Sequence, residues 1–470
     1  MNTALRARIA EELGPGRWTP ENHAKLVSFL ATYAIEAPGR PAGAPMAIFD
    51  ADNTTWTGDL GDAAFVAALR DLELSPRLHE VLPDFVDVPD RGFGVGAPGR
   101  LFPAARVREA LEVMARVYGR VVELSASVPE LLRGFSEALI LPGGPLHGEA
   151  EFAGAYRVYT GTLLALYNLL EHRVGSVAFD FADARDATLL YPSLVRDFYA
   201  REIARGAEEL VPFTRSGPDG RCDILFPAVH DTGPDQRALR SGGRLGAYTQ
   251  IAAWVALDRT PEELGRFALR VWEGSPPVDT AFDVVFPVDA AGSAAPAPLD
   301  FTAIPPGAAT LGGGLAFGTS SMRHGTRIRP EIVDLMAVMA RHGITPVVIT
   351  ASHVDLVRAV LARHYAFGEH PLVGMAPVLV EGRYGADLTA PVPYRPGKVD
   401  AARAVAHRLT GREDARPVFC AGDSNTDFEF VAYSSDYRLF FDRGARPFMD
   451  LGAYLAAHGD GQSTVVQSPF

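Results

Sequence analysis

Met46-Ala47-Ile48-Phe49-Asp50-Ala51-Asp52-Asn53-Thr54 is the stretch on which the fold turns. Four apolar residues follow a Pro/Gly-rich loop at 38–45 and match a parallel strand buried on both faces, and the run stops at an aspartate. In open α/β sheets ligands bind in the crevice beyond the carboxyl ends of the strands, so Asp50 and Asp52 can lean into one site there. Taken alone, the pair also fits an Asp-rich turn, since Asp and Asn readily bond their own backbone.

Upstream, Thr19-Pro20-Glu21-Asn22 reads as a helix start, with Thr19 as N-cap and Leu26, Phe29, Leu30 and Tyr33 at helical spacing behind it. Downstream, the pattern cycles through helix 330–341, strand 344–349, helices 354–364 and 399–409, and strands 417–421 and 437–441. Helices alternating with apolar strands predict an α/β fold, a doubly wound, Rossmann-like parallel sheet. The intervening 57–320 reads as a large, mainly helical insertion, with periodic segments at 107–118, 156–170, 194–203 and 246–257. Within it Thr260-Pro261-Glu262-Glu263 is a capping box opening a helix that runs to Trp272, and 223–229 is an expected strand. Residues 274–315, rich in Pro, Gly and Ala, read as a connector. The expected division is core 1–56, insertion 57–320 and core 321–470.

A second carboxylate pair repeats the first. Ala421-Gly422-Asp423-Ser424-Asn425-Thr426-Asp427 follows another apolar strand, Gly422 allows a close turn, and Asp423 and Asp427 are spaced to share a helix face. Carboxylates ~4 Å apart repel by about 4 kcal/mol at an effective dielectric near 20, and a cation relieves this. All-oxygen ligation suits Mg²⁺. Thr350 ends the run Val347-Val348-Ile349, where its hydroxyl and the amides of Ala351 and Ser352 can meet phosphoryl oxygens. Lys398 opens a helix, where a cation is a misfit with the helix dipole and so points to function.

At 470 residues the chain is long enough for two or three domains. Its formal net charge of −13 repels a phosphate backbone, so nucleic acid is a poor partner. Only Cys222 and Cys420 are present, too few for a disulfide framework or a Cys-based zinc cluster, and both are expected to be free thiols. The N-terminus lacks the continuous apolar stretch of a signal peptide and no stretch approaches a membrane span. The expectation is a cytoplasmic protein without membrane association, or a periplasmic one if a signal peptide has been removed.

The order Asp-x-Asp-Asn-Thr, strand-end Thr, Lys, Gly-Asp-x-x-x-Asp resembles the haloacid dehalogenase superfamily of phosphohydrolases. The resemblance implies Asp50 as the nucleophile of an aspartyl-phosphate and Asp52 as the acid/base, with the Asp52 main-chain oxygen joining Asp50, Asp423 and Asp427 around Mg²⁺. It likewise implies that Thr350 orients the phosphoryl group and Lys398 neutralises it. The second aspartate favours phosphatase chemistry over C–halogen cleavage, and the insertion sits where the superfamily carries a cap. Trp18-Thr19-Pro20-Glu21-Asn22, Gly58-Asp59-Leu60-Gly61-Asp62-Ala63 and Arg244-Leu245-Gly246-Ala247-Tyr248 look like the phosphorylcholine phosphatase branch. Phosphoserine phosphatases, a similar group, carry at the place of Asp59 a Glu that meets the substrate's amine.

The implied activity is a Mg²⁺-dependent phosphomonoesterase acting on a small phosphate ester, with phosphorylcholine or another amino-alcohol phosphate first. Asp59, Ser352 and Trp56 are its candidate substrate contacts, although Asp59 also fits a solvated residue of a Gly-flanked loop, and Trp56 with Tyr156, Tyr159, Tyr248 and Trp254 either build an aromatic box for the cation or belong to the core of the cap. A general sugar or nucleotide phosphatase, or a metal- or phosphate-binding sensor without turnover, are the alternatives.

Overall fold

The computed structural model describes residues 3–40, 45–71, 73–75, 77–78, 93–94, 101–102, 177–180, 214–216, 221–224, 247–288, 316–365, 368–389, 392–394, 396–424, 427–442 and 463–468. The first elements are α1 (Thr3–Leu13), α2 (Pro20–Tyr33), β1 (Met46–Phe49), β2 (Trp56–Thr57), α3 (Leu60–Arg70), β3 (Phe93–Gly94) and β4 (Leu101–Phe102). There follow β5 (Val177–Asp180), β6 (Thr214–Ser216), β7 (Arg221–Ile224), α4 (Ala247–Ala256), α5 (Pro261–Glu273), β8 (Thr280–Val288), β9 (Ala316–His324) and β10 (Arg327–Ile328). Then come α6 (Pro330–Arg341), β11 (Thr345–His353), α7 (Val354–His364), β12 (Leu372–Met375), β13 (Pro377–Val380) and β14 (Arg383–Leu388). The last are α8 (Pro396–Thr410), β15 (Phe419–Gly422), α9 (Phe428–Ala432), β16 (Tyr437–Phe441) and β17 (Thr464–Gln467). Among the described residues no helix is long and apolar enough to cross a membrane.

The first of two units comprises 1–64, 258–280 and 324–470. Its centre is a six-stranded sheet in the order β12-β11-β1-β15-β16-β17, with parallel ladders throughout. Side chains of a strand alternate between the two faces, so both faces of β1 can be apolar only if both are covered. On one face Met46 and Ile48 pack with Val347, Ile349, Cys420 and Phe440 against Ala402, Val405 and Ala406 of α8. On the other, Phe49 meets Phe419 at 5.4 Å between ring centroids, and Phe419 meets Phe29 of α2 at 5.0 Å. The doubly wound core is therefore observed, and Cys420 is a free thiol sealed inside it.

α2 forms as its sequence dictates, Thr19 Oγ1 accepting from the Asn22 amide at 3.2 Å and Pro20 taking the first position. Its Asn22 side chain donates to the Val466 carbonyl and so secures the edge strand β17. α1 was not read as a helix in the sequence, although Leu5, Ile9 and Leu13 recur every four residues and are all buried.

Contacts divide the long insertion differently from the expected 57–320 block. Residues 258–280 belong to the first unit, because α5 packs along α7. The expected capping box is present, with Thr260 Oγ1 accepting from the Glu263 amide at 3.1 Å and Glu263 accepting from the Thr260 amide at 2.9 Å.

The second unit comprises 65–257 and 281–323. Its described residues include a five-stranded sheet, β6-β7-β5-β9-β8, and α4, whose buried Trp254 packs at a tilt against Phe65 at 5.8 Å. A sheet was not expected in a mainly helical insertion. β8 falls inside the presumed connector, where Thr280-Ala281-Phe282-Asp283-Val284-Val285-Phe286-Pro287-Val288 is rich in strand-forming residues that the Pro/Gly-rich surroundings masked. β7 overlaps the expected 223–229 strand but begins earlier, at Arg221. The expected helices at 107–118, 156–170 and 194–203 lie outside the described residues.

Gly58 joins β2 to the residues before β10. Its φ is +90°, and a Cβ there would lie 1.8 Å from the Gly325 carbonyl oxygen. Gly58→Ala should therefore lose at least the ~1–3 kcal/mol of a strained backbone, before any displacement of the β2–β10 ladder, read as a lowered midpoint of chemical unfolding. An unchanged midpoint would show that this loop is not held as described.

Candidate active site

β1 lies between β11 and β15, with Phe49 paired to both Val348 and Ala421. This register brings Asp50, Thr350 and Asp423 to one edge of the sheet, β11 running on past the expected end at 349 through an irregularity to His353. The chain leaves β1 for β11 on one side and later returns to β15 on the other, so this edge is the topological switch point, where open α/β sheets bind ligands.

The turn after Asp50 is held residue by residue. Thr55 Oγ1 donates to the Asp50 carbonyl at 2.6 Å, and the Tyr365 hydroxyl donates to the Thr55 carbonyl at 2.7 Å. Asn53 has φ 58°, a left-handed conformation that Asn tolerates better than bulkier residues. Its amide donates to the Gly58 carbonyl at 2.9 Å while its Oδ1 accepts from the Gly58 amide at 3.1 Å. Thr54 Oγ1 reaches across to Asp423 Oδ1 at 3.2 Å. Asn-Thr-Thr is thus the bracing of the loop rather than part of its chemistry.

Asp50, Asp423 and Asp427 are all buried, and one carboxylate oxygen of each lies within 4.8 Å of the others. Lys398, on the first turn of α8 and 2% exposed, places Nζ 2.6 Å from Asp50 Oδ1 and against Asp427 Oδ1. Burial opposes its charge, but the Asp427 and Asp50 carboxylates outweigh burial and hold the ammonium above the ordinary lysine range. The Asp50 carboxyl is pushed well above the usual range by burial and then by Asp427, with Lys398 pulling the other way.

Asp423 and Asp427 do not share a helix face as expected. α9 begins only after Asp427, whose Oδ2 accepts from the amides of Asp423 and Ser424, both at 3.2 Å. A tight turn brings the pair together, and Gly422 permits it, since a Cβ there would lie 2.5 Å from Asp427 Cβ.

Asp52 is buried beside the cluster in a different setting. Its Oδ1 accepts from Trp56 Nε1 at 2.9 Å and from the Leu60 amide at 2.7 Å, and its Oδ2 accepts from Ser352 Oγ at 2.5 Å. Burial raises its pKa; the Ser352, Leu60 and Trp56 hydrogen bonds oppose this without cancelling it. Thr350 Oγ1 accepts from the Ser352 amide at 3.0 Å, so the two hydroxyl residues of this strand end brace one another. The following His353, pushed down to about 3 by burial, accepts from the Asp355 amide at 3.2 Å and caps α7 as a neutral ring.

Three expected substrate contacts have other employment. Trp56 is wholly buried, edge-on to Trp272 at 5.5 Å, and binds Asp52. Asp59 is the N-cap of α3, its Oδ1 accepting from the Asp62 amide at 2.9 Å, and Ser352 bonds Asp52. Of the proposed aromatic box, Trp254 is also wholly buried; Tyr156, Tyr159 and the Tyr248 side chain lie outside the described residues. Sequence reasoning missed the Leu60 amide and Gly61, at which a Cβ would lie 3.2 Å from both Asp59 Oδ1 and Ser352 Oγ. The available signal was Asp59-Leu60-Gly61-Asp62 itself, an Asp N-cap that aims the first amides of a helix back at the loop.

Residues 315–432 match the family model of haloacid dehalogenase-like hydrolases, a segment holding Thr350, Lys398, Asp423 and Asp427 and starting well after Asp50. No curated protein matches the chain. A conserved, functionally unknown protein from Anaerococcus prevotii DSM 20548 is similar in structure, with TM-score 0.58 and 15% identity over 97% of each chain. A protein of unknown function from Bordetella pertussis Tohama I aligns over 50% of this chain and 80% of its own, at TM-score 0.30 and 14% identity. A HAD family hydrolase from Salmonella enterica serovar Typhi aligns over 50% and 58%, at TM-score 0.27 and 9% identity. The six-stranded parallel sheet and the match at 315–432 together support a haloacid dehalogenase-like hydrolase domain within this chain.

Proposed function

We propose that the protein is a Mg²⁺-dependent phosphomonoesterase that works through an aspartyl-phosphate on Asp50. The observation that carries this reading is the presence of two buried carboxylate environments side by side. Asp50 belongs to an acidic cluster threaded by Lys398, whereas the Asp52 side chain is held by neutral donors. Environments that set two carboxyl groups apart are how one site obtains both a nucleophile and an acid.

The donor set fits a hard divalent cation. Three buried carboxylates against one ammonium leave an excess of two negative charges when all are ionised, and all the ligand atoms are oxygens. Asp50, Asp423 and Asp427 would hold the ion with the Asp52 main-chain oxygen. When bound, Mg²⁺ supplies charge neutralisation at the phosphoryl group and favours the ionised form of Asp50.

The chain's own residues do the rest. Asp50 attacks phosphorus while Lys398 offsets charge beside it, and Thr350, in the irregular part of β11, orients a phosphoryl oxygen. Asp52, biased toward its protonated form, gives its proton to the leaving oxygen and then takes one from the attacking water. A sensor without turnover would have no use for a separately held acid, which favours the enzyme reading.

For the substrate, a small phosphate ester remains the proposal. The aromatic residues lend the amino-alcohol version little support, because Trp56 and Trp254 are core, while Asp59 gives one oxygen to the cap of α3. EDTA should abolish hydrolysis of p-nitrophenyl phosphate and added Mg²⁺ should restore it; full activity in chelator would sink the metal assignment. A panel of phosphorylcholine, phosphorylethanolamine, glycerol 3-phosphate, glucose 6-phosphate and AMP then separates amino-alcohol from sugar or nucleotide specificity by kcat/KM.

A further inference from the structure

We infer that Trp56 and Ser352 are positioning residues that make one particular oxygen of Asp52, Oδ2, the carrier of the leaving-group proton. The inference rests on the phosphomonoesterase reading and deepens it. A carboxyl acid is effective only if its proton sits on the oxygen that faces the ester, and a freely rotating carboxyl places it there part of the time. Here Oδ1 accepts two N–H donors, Trp56 Nε1 at 2.9 Å and the Leu60 amide at 2.7 Å. An oxygen already accepting two donors has no room for a proton of its own. Oδ2 has only the Ser352 hydroxyl at 2.5 Å among its described hydrogen bonds, and a hydroxyl can turn to suit either protonation state of its partner.

In the first step the Asp50 oxygen bonds to phosphorus and the P–O bond to the alcohol breaks with its electron pair on the leaving oxygen, which takes the proton from Oδ2. In the second, water bonds to phosphorus and gives its proton to Oδ2, and the P–O bond to Asp50 breaks to return the carboxylate. Oδ1 stays an acceptor throughout, so Trp56 and Leu60 need not move.

The support for Trp56 is itself rigid. Its ring is wholly buried, edge-on to Trp272 of α5 at 5.5 Å and near Tyr365 at 6.1 Å. β2 is paired with β10, Ile328 standing opposite Trp56. Segment 258–280, which in the sequence lies far from the first motif, thereby bears on the acid through one ring contact. Ser352 is set by its own backbone, its amide donating to Thr350 Oγ1.

The test compares two probes, p-nitrophenyl phosphate, whose leaving group needs no proton, and whichever of phosphorylethanolamine, phosphorylcholine and glycerol 3-phosphate the wild type hydrolyses fastest. Trp56→Phe deletes the N–H and keeps an aromatic ring; Ser352→Ala deletes only the hydroxyl. Each should lower kcat/KM for the alkyl ester, which reports the first chemical step, by about 10-fold or more, part of the 10²–10⁴ of a general acid, with much less effect on kcat/KM for p-nitrophenyl phosphate. In an Asp52→Asn background neither substitution should lower the alkyl ester rate further, because residues acting through one group are not additive. Ser352→Thr, which keeps the hydroxyl, should recover most of the loss. If Trp56→Phe does not fold, Ser352→Ala alone decides.

Equal loss of kcat/KM on both probes, or an undiminished loss in the Asp52→Asn background, would overturn the positioning role and leave the phosphatase reading intact. A wild type that hydrolyses neither probe would instead overturn the phosphatase reading, and the inference with it.

Discussion

Asp50→Asn is expected to lose turnover of every phosphate ester by roughly 10³-fold or more, since an amide cannot replace the attacking carboxylate and residues acting as a unit fail together. Asp52→Asn should behave differently. It retains the nucleophile and loses the proton donor, so alkyl esters should slow by about 10²–10⁴ while the first step with p-nitrophenyl phosphate is largely spared. The second step also uses Asp52, as base, so the phosphorylated enzyme should accumulate in this variant. Intact-protein mass spectrometry after an acid quench would detect one added phosphoryl group on Asp52→Asn and none on Asp50→Asn. Near-native hydrolysis of p-nitrophenyl phosphate by Asp50→Asn would refute the covalent route.

Lys398→Met should have the largest effect on the fold. Its ammonium is 2% exposed and lies against Asp50 at 2.6 Å and against Asp427, with Asp423 in the same cluster. Removing one partner of a buried ion pair leaves the other charge uncompensated, a loss of about 3–5 kcal/mol. The expected result is a clear fall in the chemical-unfolding midpoint together with loss of activity, and added Mg²⁺ should restore stability more in Lys398→Met than in wild type, because the acidic excess is larger there. An unchanged midpoint in EDTA would mean that the carboxylates are already neutral without the lysine.

The parts of the site closest to strand ends were the most legible. Asp50, Thr350 and Asp423 follow short apolar runs, and in a parallel sheet a common register of such runs brings whatever follows them to one edge. Lys398 was visible because a cation in a first helical turn contradicts the dipole, and such local misfits need a tertiary reason. Its reason is the pair of carboxylates it bridges. Trp56, Asp59 and Ser352 were found, but their partners within the protein were not legible. Residue type suggested a cation-binding surface, and only the tertiary structure shows that the Trp56 indole faces inward to Asp52 and that Asp59 Oδ1 caps α3.

Local pattern by itself determined the doubly wound core, the capped helices α2 and α5, and the edge on which the aspartates lie, because hydrophobic period and capping chemistry act within a few residues of chain. Tertiary structure alone decided what those patterns cannot encode. It separated 258–280 from the rest of the insertion and set it on α7, it built a five-stranded sheet from segments distant in the chain, and it divided the carboxylates into an acidic cluster and a separately held carboxyl group. Such outcomes depend on which groups meet after long loops close. Burial and electrostatic coupling are properties of that meeting, and so the same residue type, aspartate, joins an acidic cluster around a lysine, is held by neutral donors or caps a helix according to its neighbours.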